Sequence, residues 1–255
     1  MNLSIFTPMK TESRIYGLRA VMEAIQAEKP INKVFLQKGI SGDLYKELEH
    51  LLRKKRISSS YVPIEKLNKL TTNNHQGAVA LISPVDFKDF DELIEEVLEG
   101  AENPLFLLLD QVTDVRNFGA IIRTAECCGV DAIIVPKTGS APINSDTIKT
   151  SAGAAFNVPI AKVDHLKDAI YYLQASNIKI VAATEKAENS IYGIDLNRGT
   201  AIIMGAEDKG ISNSVLQLAD YRTKLPIAGN IGSLNVSVAC GVFLYEAVRQ
   251  RLIES

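Results

Sequence analysis

Apolar positions in the first third of the chain change their spacing several times, which indicates short helices and strands in alternation. Leu18, Val21, Met22 and Ile25 repeat at helical spacing and predict a helix over residues 14–28. The further predicted elements are helices at 43–55 and 64–70 and strands at 33–36, 60–63 and 77–82. Together these elements predict a small α/β domain over residues 1–84.

An acidic amphipathic pattern follows this domain. Phe90, Leu93, Ile94 and Val97 lie on one face of a helix predicted over 86–99. Glycine and proline at the two ends of residues 100–104 interrupt the pattern. We therefore predict an acidic helical linker over residues 85–103.

Short, continuously apolar runs alternate with helical patterns over the rest of the chain. The predicted strands are 105–110, 132–136, 157–163, 178–184, 201–205 and 221–227, and the predicted helices are about 117–128, 144–153, 164–175, 211–219 and 234–252. Strands that are apolar throughout are buried on both faces, as in a parallel sheet covered by helices. Residues 104–255 are therefore predicted to form an α/β domain with a parallel sheet.

Composition agrees with a folded protein, and the charge is unevenly placed. The chain has 255 residues, 46% hydrophobic and 23% charged, which is ordinary globular usage. The net charge of −2 is the sum of +6 in residues 1–84, −7 in 85–103 and −1 in 104–255. The front domain is thus basic, as a phosphate-binding domain would be.

Other classes of protein are disfavoured by what the sequence lacks. No apolar run approaches the roughly 20 residues that span a bilayer. The first 14 residues have no uninterrupted apolar core and do not resemble a secretory signal. Three cysteines, two of them adjacent, form neither a disulfide framework nor a CxxC metal pair. We expect reduced thiols, a cytoplasmic protein, no membrane association and no metal.

Polar, glycine-rich turns follow the predicted strands that end at 110, 205 and 227. Ligands of parallel sheets bind at the carboxyl ends of the strands, so these turns are the candidate site. The dinucleotide motif GxGxxG is absent. Gly205 and Gly210 have the spacing of a phosphate loop, but Ile211 stands where that loop needs lysine. A conventional nucleotide site is therefore disfavoured.

The same turns carry a resemblance to the SpoU family of RNA ribose 2′-O-methyltransferases, the TrmH-like group. The matching segments are NFGAIIRTA at 117–125, IMGAEDKG at 203–210, LPIAG at 225–229 and SLNVSVA at 233–239. The front domain is similar to the substrate-binding domain of the subgroup that methylates guanosine in ribosomal RNA. Its markers are Ile15-Tyr16-Gly17 and His75-Gln76-Gly77.

The resemblance implies methyl transfer from S-adenosylmethionine (SAM) to a ribose 2′-hydroxyl, and a catalytic domain with a deep trefoil knot. It implies that the second and third motifs surround the cofactor. Gly205 then permits close approach of the backbone, and Leu225 and Leu234 supply apolar walls. Thr184, at the end of its strand, is a further candidate for this pocket.

The resemblance also assigns catalytic roles to Asn117, Arg123, Glu207 and Asn235. The family's reactive arginine corresponds to Arg123. Arginine keeps its proton at ordinary pH, so we expect Arg123 to anchor a phosphate and stabilise the developing oxyanion. We expect the two amides to position Arg123 or the ribose, and Glu207 to hold a loop or fix Arg123. On a structural interpretation, both asparagines only cap helices and Arg123 only reaches solvent.

In the basic domain, Arg53, Lys54 and His75 are the candidate RNA contacts. The run from Arg53 to Arg56 ends a predicted helix, where cations are also favoured by the helix dipole alone. His75 lies in a loop and has a structural alternative as well. Phosphate contact by the cations would be independent of RNA sequence.

We predict an enzyme that methylates a guanosine ribose in large-subunit ribosomal RNA. The last helix has apolar residues along its length, and by resemblance it packs against a second copy, with the RNA site completed across a homodimer interface. Three alternatives remain: transfer RNA as substrate, a non-catalytic RNA-binding protein of the same fold, and a nucleotide-dependent enzyme on a conventional doubly wound sheet.

Overall fold

The computed structural model describes residues 14–253, and these form two compact units. Unit 1 contains residues 14–86 and the short segment 142–145, and unit 2 contains the rest. The N-terminal stretch expected not to be a secretory signal lies mostly outside the described residues.

Unit 1 is an α/β unit built on a four-stranded mixed sheet. Its elements are β1 (Arg14–Tyr16), α1 (Leu18–Gln26), β2 (Ile31–Gln37), α2 (Asp43–Lys54), β3 (Ser59–Val62), α3 (Ile64–Leu70) and β4 (Ala78–Ile82). The strand order is β1-β4-β2-β3, and only β2 and β3 run parallel. Helices α1 and α2 bury Val21, Ile25, Leu48 and Leu52 against one face of the sheet.

The predicted start of α1 is wrong. Residues 14–16 form β1, in which Arg14 pairs with Leu81 and Tyr16 with Val79 of β4. Gly17 then turns the chain with φ +95°, a conformation that side chains other than glycine rarely adopt. Pairing with β4 therefore determines the structure of this segment, and the helical spacing applies only from Leu18 onward.

Unit 2 is a parallel α/β structure. Its elements are α4 (Phe90–Gly100), β5 (Leu105–Asp110), α5 (Val115–Cys127), β6 (Ala132–Pro136), α6 (Ser145–Thr150), β7 (Ile160–Val163), α7 (Leu166–Ala175), β8 (Lys179–Ala183), β9 (Asn189–Ser190), β10 (Thr200–Gly205), α8 (Asn213–Leu216), β11 (Tyr221–Lys224) and α9 (Val236–Ile253). The strand order is β7-β6-β5-β10-β8-β11-β9, and every pair is parallel.

The predicted parallel sheet covered by helices is confirmed. The runs LFLLLD and AIIVP form β5 and β6 with the predicted bounds, and β5 and β10 are buried over their whole lengths. Helix α4 arises from the acidic segment and buries Leu93 and Ile94 in the core of unit 2. Helices α5 and α9 pack against each other. The trefoil knot stays a prediction.

The order of the strands in the sheet places the candidate turns along one edge of it. Strands β5, β10, β8 and β11 are adjacent and parallel, so the segments that follow them emerge side by side. These segments contain the residues that were predicted to be catalytic or cofactor-binding. The fold thus brings together positions far apart in sequence.

Candidate active site

Asn117, Glu207 and Asn235 form a closed ring of hydrogen bonds, here called the triad. Nδ2 of Asn117 donates to Oε2 of Glu207 at 3.0 Å. Nδ2 of Asn235 donates to Oδ1 of Asn117 at 3.0 Å and to Oε1 of Glu207 at 3.3 Å. Three of the four predicted catalytic residues are therefore in direct contact, although they come from α5, the segment after β10 and the start of α9.

Local capping interactions orient the side-chain amide of Asn235 and hold the backbone at Asn117. Oδ1 of Asn235 accepts hydrogen bonds from the backbone N–H and the hydroxyl of Ser237, at 3.0 and 2.6 Å, so its Nδ2 faces the triad. At the start of α5, Asp114 is the N-cap and accepts from the backbone N–H of Asn117 at 2.8 Å. Asn235 therefore caps a helix and joins the triad, whereas Asn117 leaves capping to Asp114.

Glu207 acts as a double acceptor in this arrangement. Each of its carboxylate oxygens receives an N–H from an asparagine amide. The geometry supports loop holding by Glu207.

Arg123 lies apart from the triad in a single chain. It follows Asn117 by six residues on α5, which is about 9 Å along the helix axis and on another side of the helix. Its side chain is exposed and forms no hydrogen bond or ion pair with any residue in the range 14–253. The expectation that Glu207 or the amides fix Arg123 is therefore not met within one chain.

Arg116 shares the exposed side of α5 with Arg123. The two arginines are seven residues apart, two turns of the helix, and both are exposed. Arg116 was not among the predicted site residues, although this spacing is visible in the sequence. The exposed side of α5 thus carries two cations, either of which can meet an anion.

A cavity of about 370 Å³ lies at the carboxyl ends of β8, β10 and β11. All four predicted cofactor residues, Thr184, Gly205, Leu225 and Leu234, line it. Other apolar lining comes from Met204, Ile227, Val236 and Phe243, and charged lining comes from Glu185, Lys186, Glu207, Asp208, Lys209 and Lys224. The cavity therefore combines apolar walls with groups of both charges.

Gly205 is required by the packing of its own loop. A Cβ at this position would lie 2.1 Å from the carbonyl carbon of Gly210 and 2.2 Å from the nitrogen of Ile211. Residues 206–210 turn back, with two backbone hydrogen bonds between Ala206 and Gly210, and this brings Gly210 against Gly205. The motif predicted close approach to a cofactor, and the structure adds close approach of the chain to itself.

A second cavity, of about 320 Å³, borders the triad. Its lining includes residues 111–114 after β5, together with Asn117, Glu207 and Val236. Glu207 and Val236 also line the first cavity, so the two cavities share part of a wall. The two cavities are therefore neighbours, with Glu207 in their common wall.

The predicted RNA contacts of unit 1 occupy different places. Arg53 and Lys54 form the last turn of α2, with both side chains exposed. His75 is buried: its Nδ1 accepts from the backbone N–H of Gly77 at 3.0 Å, and its Nε2 lies 2.9 Å from Oδ1 of Asn68. Both ring nitrogens are therefore engaged within the protein, and His75 shapes its loop instead of offering its ring to RNA.

Residues 14–253 contain neither a membrane-spanning helix nor a metal-binding cluster. No helix there is long and apolar enough to cross a membrane. Over the same residues, no group of three or more His, Cys, Asp or Glu side chains is placed to hold a metal ion. Burial raises the pKa of the Cys128 thiol to about 11 and that of Cys240 further, so neither thiol is reactive at neutral pH.

Comparison with known families gives two matches that together cover almost the whole described chain. Residues 104–245 match the SpoU rRNA Methylase family. Residues 14–88 match the family of RNA 2′-O ribose methyltransferase substrate-binding domains. The first match alone spans more than half of the chain.

Curated relatives and solved structures agree with these matches. A protein of Pseudomonas putida named 23S rRNA (guanosine-2′-O-)-methyltransferase RlmB is 38% identical over 96% of this chain and 100% of its own. A putative TrmH family tRNA/rRNA methyltransferase, YacO of Bacillus subtilis, is 32% identical over 93% and 95%. The structure of the SpoU methyltransferase AviRb from Streptomyces viridochromogenes, in complex with the cofactor AdoMet, aligns with TM-score 0.61 and 26% identity over 95% of this chain and 91% of that one.

Proposed function

The chain belongs to the SpoU family of SAM-dependent RNA 2′-O-methyltransferases, and from this premise we propose that its substrate is a guanosine ribose in large-subunit ribosomal RNA. The observation that carries this proposal is the triad, formed by residues of all three family motifs beside a cavity of suitable size. The choice of guanosine as the methylated nucleoside rests on the relative named as a 23S rRNA guanosine methyltransferase, which aligns over its whole length. Ribosomal RNA as substrate also fits the expected location in the cytoplasm.

The first cavity fits the cofactor in size and chemistry. Its volume of about 370 Å³ lies in the range of small-molecule sites, and its mixture of apolar and charged lining suits a nucleoside joined to an amino acid. We assign Leu225 and Leu234 to the apolar walls, and Thr184 and Gly205 to the strand ends that face the cavity. When bound, SAM supplies a methyl group already activated on a positively charged sulfonium.

The residues of the triad hold the reacting groups in place. Asn117 and Glu207 line the second cavity, so a ribose bound there lies against the wall shared with the first cavity. We assign Asn117, Glu207 and Asn235 to keeping this wall in one shape, since each of them is already hydrogen-bonded to the other two. Correct positioning alone accounts for much of the rate when one partner is already activated.

Arg123 contributes a permanent positive charge. Guanidinium groups stay protonated and bind phosphate with two parallel hydrogen bonds. We assign Arg123 to an RNA phosphate next to the target ribose and to the stabilisation of the developing oxyanion. Its exposed position and lack of an ion pair with the described residues leave this group available.

A homodimer would place Arg123 of one protomer beside the triad of the other. Helix α9 is apolar on both sides: it buries Phe243 and Leu244, yet Val238, Tyr245 and Leu252 are more than half exposed. Helices α5 and α9 pack side by side, and a Cβ added at Gly241 of α9 would lie 3.6 Å from Cγ2 of Thr124 of α5. We propose that a second copy covers the exposed sides of these two helices and that the Arg123 side chain of one protomer serves the triad of its partner.

The experiment is methyl transfer to unmethylated large-subunit ribosomal RNA, with unmodified transfer RNA in parallel. We expect 2′-O-methylation of one guanosine in ribosomal RNA, near-complete loss with Arg123→Ala, and unchanged SAM affinity in that variant. Arg222→Ala removes another exposed arginine of unit 2 and is the matched control. Methylation of transfer RNA alone would overturn the substrate, and absence of SAM binding would overturn the enzyme assignment.

Mixed dimers test the shared site. We expect Arg123→Ala and Glu207→Ala chains each to be inactive alone, whereas a mixture that exchanges subunits has one intact Arg123–triad pair when the site spans two protomers. We expect activity to return on mixing. A mixture that stays inactive, despite verified exchange, would place Arg123 and the triad of each site in the same protomer.

A further inference from the structure

The two sequence markers of unit 1 come together at one end of its sheet. The backbone N–H of Gly17 donates to the carbonyl of Ala78 at 3.0 Å, which continues the pairing of β1 with β4. A Cβ at Gly17 would lie 3.4 Å from Oε1 of Gln76. Residues 15–17 and 75–77 therefore lie side by side at one end of the sheet of unit 1. None of them has a role in the catalytic assignment.

The loop at this place is held in one conformation by side chains. His75 bonds the backbone N–H of Gly77 and, because its Nδ1 is thereby an acceptor, donates from Nε2 to Asn68. Oδ1 of Asn74 accepts from the backbone N–H of Gln76 at 3.3 Å. Gln76 has φ +49°, a left-handed backbone conformation that residues with side chains rarely adopt.

Amide side chains make up half of the residues that line an open concavity at this end of unit 1; the others are Ile40, Ile64, Thr72, His75 and Gly77. The volume of the concavity is about 570 Å³. The amide side chains that line it, here called the amide face, are Gln37, Asn68, Asn73, Asn74 and Gln76. Those of Gln37, Asn73 and Gln76 form no hydrogen bond with any part of the chain that the structure describes. The rigid loop therefore presents donors and acceptors that the described protein leaves unused.

The chemistry of the amide face differs from that of the basic end of unit 1. Among the described residues, no lysine or arginine lines the concavity. Arg53 and Lys54 lie in the last turn of α2, whereas the carbonyl of Gln37 accepts a hydrogen bond from Tyr45 near the first turn, about 12 Å back along the helix axis from Arg53. Cations at that far end bind RNA phosphates regardless of the base sequence. Amides instead match the paired donor and acceptor groups of base edges, which unpaired RNA exposes.

We propose that the amide face recognises the edges of unpaired bases in the RNA substrate and so selects which RNA loop is bound. This inference rests on the proposed function, since it takes RNA as the ligand of unit 1. Asn73 and Gln76 make the hydrogen bonds to bases, and His75 and Asn74 keep them in position. The basic end of α2 adds affinity for RNA without distinguishing one loop sequence from another.

Selection from a pool of hairpin RNAs with randomised loops tests the proposal. The full chain is used as wild type, as Asn73→Ala, which removes an exposed amide, and as Gln76→Gly, which also relieves the left-handed backbone. Gln26→Ala removes an exposed glutamine from the last residue of α1, away from the concavity, and is the matched control. Thermal unfolding establishes that each variant folds.

We expect wild type and Gln26→Ala to enrich the same loop sequences, and each amide-face variant to bind them about tenfold more weakly. The dependence of binding on salt should stay unchanged, because no cation is removed. Wild type that enriches no loop, or variants that enrich the same loops equally well, would overturn the proposal. The proposal would also be overturned if the wild type bound a protein instead of RNA and both amide-face variants lost that binding.

The proposed function is tested separately in the same preparations. Methylation of unmethylated large-subunit ribosomal RNA reports on the enzyme, whereas loop selection reports on the amide face. A wild type that methylates but selects no loop would overturn only the present inference. One that selects a loop but never methylates would overturn the ribosomal RNA assignment and leave base recognition in place.

Discussion

The side-chain amide of Asn235 donates a hydrogen bond to the side-chain oxygen of Asn117 at 3.0 Å, across 118 residues of sequence. Both amides also donate to Glu207, so the bond closes a ring. Every donor in this ring is an amide and the final acceptor is a carboxylate. The ring is therefore sensitive to any exchange of an amide for an acid.

The substitution Asn117→Asp tests this sensitivity of the ring to an acid. The substitution places a carboxylate oxygen where Nδ2 now donates to Glu207 at 3.0 Å, and two ionised carboxylates at this distance repel each other. We expect methyl transfer to fall on the order of 100-fold at neutral pH and to recover partly as acid supplies the shared proton. The measurement is the pH dependence of the transfer rate.

Asn117→Ala is the companion variant, because it removes the bonds without adding a charge. Its loss of activity should not depend on pH beyond that of wild type. An aspartate variant whose activity follows the alanine variant at every pH would contradict the hydrogen-bond pattern of the triad.

Gly205→Ala and Gly210→Ala should differ strongly, although both glycines belong to one motif. A methyl group at Gly205 would collide with the backbone of Gly210, which cannot move without opening the loop. At Gly210 there is free space, and φ of +68° alone makes alanine unfavourable by about 1 kcal/mol. We expect SAM binding to be lost only in Gly205→Ala, as measured by calorimetry alongside urea unfolding. Equal effects would show that the loop differs from this structure.

The basic end of α2 is tested by salt titration. Removal of Arg53 and Lys54 together should make RNA binding less salt-dependent, by roughly 0.7 in the log–log slope for each RNA phosphate that is no longer neutralised. Lys88→Ala removes an exposed cation from unit 2 and should leave the slope unchanged. An unchanged slope in the double variant would assign phosphate binding to other residues.

Glu246 predicts an acid-sensitive ion pair within α9. Its buried carboxylate accepts two bonds from Arg249 at 2.8 Å and one from Gln250. The hydrogen bonds from Arg249 lower the pKa of Glu246 below 4.5, an effect that burial opposes and Gln250 reinforces. A lowered pKa in the folded state means that the stabilisation is complete above about pH 4.5 and is lost as the pH falls through the folded value.

Glu246→Gln removes that proton linkage. We expect its free energy of unfolding to fall less steeply on acidification than that of wild type, as measured by urea unfolding at a series of pH values. The same acid dependence in both proteins would mean that Glu246 does not titrate with unfolding.

Buried parallel strands were the most predictable elements, because burial on both faces leaves an uninterrupted apolar run. β5 and β6 have the predicted bounds for this reason. The two-residue strand β9 was missed, since Asn189 and Ser190 are polar and pair only along one edge with β11. Such a strand leaves no hydrophobic pattern to detect.

The residues of the site were predictable from their motifs, but their partners were not. Glu207 was expected to hold a loop or to fix Arg123, and the structure pairs it with Asn117 and Asn235 over separations of 90 and 28 residues. His75 was expected at the RNA surface, yet burial and two internal hydrogen bonds give it a structural role. Contacts between distant segments depend on strand order, which local patterns do not specify.

The ring of Asn117, Glu207 and Asn235 also bears on how the protein is made. A chain emerging from the ribosome contains Asn117, then Glu207 after a further 90 residues, and only 28 residues later Asn235, which completes the ring. Until Asn235 has left the exit tunnel and α9 has begun to form, the ring is open and the wall between the two cavities is incomplete. A chain terminated before Asn235 therefore lacks the ring, and under the proposed function we expect it to methylate no RNA.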